Sequence, residues 1–151
     1  MASRYEDCDA ALPFLPRRRP VTAMRFTVLL IGASWVLTGL YVVADPQGFY
    51  ASVPGLAMMG PFNLHFIRDV GLAFVASGLA TACGMWRGVP AVALAGIAWP
   101  LLHAGFHLQI WSHRGFPFDH IFAFDLVGVI APPLLAAVLL WRIANRPGVP
   151  A

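Results

Sequence analysis

Residues 26–44 read FTVLLIGASWVLTGLYVVA, nineteen positions without a charge, and this stretch decides the fold class. An α-helix rises 1.5 Å per residue, so about 20 apolar residues cross the roughly 30 Å hydrocarbon core of a bilayer. Asp45-Pro46 follows directly and ends the helix, because proline cannot continue the hydrogen-bond ladder. Working outward, three more runs of that length appear. Residues 62–86 carry His65, Arg68 and Asp69 in their first two turns and are clean from Val70 onward. Residues 88–111 have no formal charge but hold Pro100, His103, His107 and Gln109. Residues 121–141 contain Asp125 and a Pro132-Pro133 pair, which predicts a kink.

Composition agrees. Of 151 residues, 59% are hydrophobic and 11% charged, with a mean hydropathy of +0.72, so the chain lacks the polar surface of a soluble domain. Within lipid, only helices and closed barrels satisfy every backbone group. Unbroken apolar runs, in place of ten-residue alternating segments, select helices. The expected architecture is an all-α integral membrane four-helix bundle over residues 23–143. A polar tail at 1–22 and a short tail at 144–151 flank it. The lipid bilayer is the expected partner, with further membrane subunits or a second copy of the chain, and no nucleic acid.

Orientation follows the arginines, since there is no lysine and arginines near helix ends tend to stay in the cytoplasm. Arg4, Arg17, Arg18, Arg19 and Arg25 precede the first helix, Arg87 lies between the second and third, and Arg142 and Arg146 follow the fourth. These eight of the ten arginines fall on one side, leaving Arg68 embedded and Arg114 opposite. Both termini are therefore expected in the cytoplasm. The first apolar run exceeds the 7–15 residues of a signal-peptide core and lacks a clear cleavage site, so an uncleaved helix is expected. Cys8 and Cys83 fall away from the oxidising side and read as free thiols. Trp86, Trp111 and Trp141 fall at the expected water interfaces, where indole is favoured.

With this topology the polar residues form one layer. His65 and Asp69 open the second helix, His103 and His107 close the third, and Asp125 opens the fourth. At 1.5 Å per residue, all five lie within roughly 15 Å of the outer boundary. His113, Asp119 and His120 sit just above them in the loop, which can act as a lid or as an interfacial turn. His65/Asp69 and His103/His107 are each four apart, so each pair shares a helix face. Imidazole and carboxylate from facing helices suit a transition metal such as copper, zinc or iron. The metal donors expected are His65, His103, His107, Asp69 and Asp125, with Arg68 beside them. Redox chemistry or metal handling would follow.

Three other readings remain open. The same residues suit a structural network in which Arg68 neutralises the carboxylates. Two of the histidines suit a b-type haem, and ionisable residues in lipid suit a proton relay or a quinone pocket. Met58 and Met59 offer soft sulfur, but their place beside Pro61 and Phe62 suits the interface. Gly32, Ala33, Gly39, Gly71, Gly78 and Ala82 suit close helix packing.

Asp45-Pro46-Gln47-Gly48-Phe49 after the first helix, Asn63 and Arg68 at the start of the second, and the small residues that follow resemble the DoxX-like four-helix membrane proteins of bacteria. The resemblance covers roughly residues 26–143. It implies a bacterial inner-membrane location and assigns no reaction.

Overall fold

In a computed structural model of the chain, residues 21–145 are described. They form helices α1 (Val21–Ala44), α2 (Pro46–Ser52), α3 (Leu64–Trp86), α4 (Pro90–His113), α5 (His120–Asp125) and α6 (Ala131–Ala144). A 3₁₀ turn occupies Leu56–Met58, and a π-helical turn at Leu126–Ile130 joins α5 to α6. No strand occurs among the described residues. Four stretches are long and apolar enough to cross a membrane: Thr22–Ala44, Leu64–Trp86, Pro90–His113 and His120–Ala144. The chain is thus an all-α, multi-pass membrane protein. Large apolar side chains face outward along these helices, among them Leu37, Leu102 and Leu134, as contact with lipid requires. The amino-terminal tail with Arg4, Cys8, Arg17, Arg18 and Arg19 lies outside the described residues, as does Arg146.

The Asp45-Pro46 pair ends α1 and also starts α2, so the segment between the first two spans contains two helical pieces. The Asp45 carboxylate accepts the Gly48 N–H at 2.9 Å, and Pro46 takes the first helical position, where its missing N–H costs nothing. A Cβ on Gly48 would lie 2.0 Å from Asp45 Oδ2. That is the physical content of the Asp-Pro-x-Gly-Phe turn: the glycine leaves room for the capping carboxylate. Asn63 caps α3 likewise, accepting from the Phe66 N–H at 3.1 Å, which sets the helix start at Leu64 and not at residue 62.

The fourth span runs longer than the expected 121–141, and its proline pair does more than kink it. Pro132 and Pro133 have no N–H to give, and the Ala131 N–H reaches five residues back to the Leu126 carbonyl. The result is a π turn in the loop half of the span, followed by regular helix through Ala144.

The helices are arranged in the cyclic order α1, α3, α4, α6, each packed on the next. The most extensive contact joins α1 to α3. A Cβ on Gly39 would lie 2.4 Å from the Gly71 carbonyl, and one on Gly78 would lie 2.5 Å from the Gly32 carbonyl. Backbones this close gain dispersion contacts that lipid cannot replace. At the end of the bundle holding the chain termini, Val28, Met85, Ala93, Leu140 and Ile143 form a dense core. At the opposite end, under α2, the π turn packs on α4, α5 reaches α4 through side chains such as Trp111 and Phe122, and neither forms comparable contact with α1. The bundle opens there.

Candidate functional site

Along α4, Trp99, His103 and His107 recur at intervals of four and form one stripe. Trp99 stacks on the His103 ring at 4.8 Å with an interplanar angle of 11°, and Phe74 of α3 meets Trp99 edge-on at 4.9 Å. The His103 and His107 rings follow at 4.7 Å and 72°. The stripe ends on a carboxylate: His107 Nδ1 lies 3.0 Å from Asp125 Oδ2. Asp125 is 7% exposed, and His107 is its only polar side-chain partner among the described residues. The contact has the distance of an ion pair but lies off the ring N–H direction, leaving buried Nδ1 without an aligned hydrogen bond.

His103, His107 and Asp125 stand on the wall of a cleft of about 640 Å³ in the open half of the bundle. Phe49 of α2 and Leu56, Met58 and Met59 of the following segment border it from above, and Trp35, Phe66, Phe74, Phe106 and Phe124 supply rings around it. Polar groups are few: Ser34, Thr38, the two histidines, Arg114 and Asp125. A largely apolar concavity with a few convergent polar groups is what a small-molecule site requires.

The loop after α4 is firmly built. Arg114 pairs with Asp119, whose carboxylate also caps α5 by accepting the Phe122 N–H at 2.9 Å. The Arg114 hydrogen bond, and then that backbone hydrogen bond, hold the Asp119 carboxyl below the ordinary carboxylate range. Trp111 donates its indole N–H to the Pro117 carbonyl at 2.9 Å and stacks on Phe122 at 4.3 Å. Arg114 thereby closes one rim of the cleft.

Compared with protein-family models, with curated proteins and with solved structures, the chain matches none.

Placed on the structure, the expected polar layer separates. His65 pairs with Asp69 at 3.5 Å, but their side chains are 90% and 57% exposed, and neither borders the cleft. Ile67, Val70 and Phe74 hold the inner face of α3, which turns residues 65 and 69 about 200° away from Ile67. The expected convergence of His65 and Asp69 on the α4 histidines therefore does not occur. Arg68 is exposed and belongs to none of the three ion pairs, so it neutralises neither Asp69 nor Asp125. His113 bonds the Gln109 carbonyl of its own helix at 2.9 Å, and His120 is exposed. Among the described residues, no group of three His, Cys, Asp or Glu side chains is gathered to hold a metal ion. Trp99 and Phe74, which fix the His103 ring, were not expected from sequence. Only the continuation of the four-residue interval back to Trp99 points to the first of them.

Proposed function

We propose that this protein binds an apolar, ring-bearing ligand of the quinone class in the cleft, with His107 and Asp125 as the pair that holds and passes a proton beside it. The observation that carries this reading is the siting of a buried, incompletely bonded His–Asp pair on the wall of an aromatic cleft of about 640 Å³. A flat ring suits the surrounding Phe and Trp faces. A ligand oxygen suits imidazole N–H donors, and ionisable groups placed in a membrane generally serve ligands or protons. The arginine distribution supports cytoplasmic termini, so that the cleft faces outward. The DoxX-like sequence features support a bacterial inner membrane.

The test is purification in mild detergent, followed by solvent extraction and mass spectrometry of bound lipid. Titration with a short-chain quinone is then followed by tryptophan fluorescence in wild type, His107→Ala and Asp125→Asn. Saturable quenching, weakened in both variants, supports the proposal. Its absence in wild type removes it.

A second reading assigns the His107–Asp125 pair to a transition metal, copper, zinc or iron, or a histidine to haem b. It is favoured by the same unbonded Nδ1 of His107. Elemental analysis and a visible spectrum of the same preparation decide it: near-stoichiometric metal lost in His103→Ala/His107→Ala supports a metal, and a Soret band supports haem.

A further inference from the structure

Below Asp125 the fourth span carries a second set of unpaired polar atoms, and they belong to the backbone. In a regular helix each carbonyl receives the N–H four residues on, and in a π turn the N–H five residues on. For Gly128 those positions are Pro132 and Pro133, and neither has an N–H. For Val127 they are Ala131, whose N–H is already given to Leu126, and Pro132. For Val129 the fourth residue on is Pro133. The Gly128 carbonyl is thus left with no helical donor, and its two neighbours are short of one.

Gly128 is the ninth residue of the span His120–Ala144, about 12 Å from its end, so these carbonyls lie at hydrocarbon depth. Lipid chains cannot donate to them, and each unpaired group there is costly. Irregular backbone persists in a membrane where it lines a cavity, and Val127, Gly128, Val129 and Pro132 all border the cleft. Space is open at this point: a Cβ on Gly128 would meet nothing nearer than Phe124 Cε1 at 4.0 Å.

We infer that the proline-starved turn at Val127–Val129 is a hydrogen-bond-acceptor subsite of the cleft, which selects ligands carrying a hydroxyl donor on their ring. The inference rests on the proposed ligand cleft and adds the polarity of what it recognises. Asp125 is likewise an acceptor while ionised, so this wall receives hydrogen bonds, and the α4 histidines can supply them. A phenol-type hydroxyl suits the wall, and its O-methyl ether fills the same space with no proton to give.

The experiment titrates detergent-purified protein with a 4-alkylphenol and with the matching 4-alkylanisole, read by tryptophan fluorescence. The comparison is repeated in Pro132→Ala/Pro133→Ala, which returns two backbone N–H groups to the turn, and in Asp125→Asn. Thermal unfolding of each variant verifies its fold, and the single variants Pro132→Ala and Pro133→Ala stand in if the double variant does not fold. Wild type is expected to favour the phenol by about tenfold, with the preference falling to about twofold in the proline variants while the anisole binds unchanged. Equal binding of both compounds by wild type overturns the subsite and leaves the cleft standing. So does a preference that survives the proline changes and is lost only in Asp125→Asn, which assigns the acceptor to the carboxylate. Failure of either compound to bind overturns the cleft itself and the subsite with it.

Discussion

His107 on α4 and Asp125 on the fourth span meet at 3.0 Å on the cleft wall in the open half of the bundle, and this is the one ion-pair contact between different spans among the described residues. Removing one partner leaves the other polar group in a poorly solvated place, whereas removing both leaves mainly a gap. His107→Ala is expected to destabilise the protein by about 3 kcal/mol, and His107→Ala/Asp125→Ala to cost less than the sum of the single changes. A double-mutant cycle of unfolding in mixed detergent measures the coupling. Strict additivity would show that the pair is not energetically linked.

The glycines at the α1–α3 contact make a sharper stability prediction. A methyl group on Gly39 or Gly78 would be forced against backbone carbonyls, which cannot yield as a side chain can. Gly39→Ala and Gly78→Ala are expected to cost about 2 kcal/mol each. Gly128→Ala, which enters open space, is expected to change stability by less than about 0.5 kcal/mol. Unfolding midpoints of the three variants side by side check the ranking.

The loop after α4 should respond to acid. Asp119 has its folded-state pKa depressed, chiefly by the Arg114 hydrogen bond. Its contribution is therefore present above the ordinary carboxylate pKa of about 3.9 and is lost as pH falls below that through the folded value. Trp111 reports this directly, because it stacks on Phe122, the residue whose N–H Asp119 caps. Its fluorescence is expected to change below about pH 4. Asp119→Asn should show the altered signal at neutral pH and lose the acid transition.

The exposed His65/Asp69 pair serves as the contrast. Exposed pairs of this kind contribute little, so His65→Ala and Asp69→Ala are expected to shift stability by less than about 0.5 kcal/mol. Ligand titrations should match wild type. A large loss of binding in either variant would place these residues at the site after all.

Four apolar runs of spanning length determined the all-α, four-span architecture, because a bilayer demands length and internal hydrogen bonding and little else. The Asp45-Pro46 stop after the first helix was equally local, whereas the caps that start α2 and α3, each acting on backbone three residues away, came only with the structure. The position of each polar residue along its helix was likewise a matter of counting 1.5 Å per residue. What the spacing could not determine was rotation about each helix axis. In soluble proteins a polar face turns to water and fixes that rotation, but these helices meet lipid outside and one another inside, so both faces are apolar. Only tertiary contacts decided it. Glycines press α1 onto α3, putting Ile67 and Val70 inside and His65 and Asp69 outside. A straight helix would set Asp125, eleven residues before Ala136, on one stripe with it, and the extra residue of the π turn rotates that stripe by about 100°. The four-residue intervals therefore named two polar pairs alike, and packing chose one of them to face Asp125.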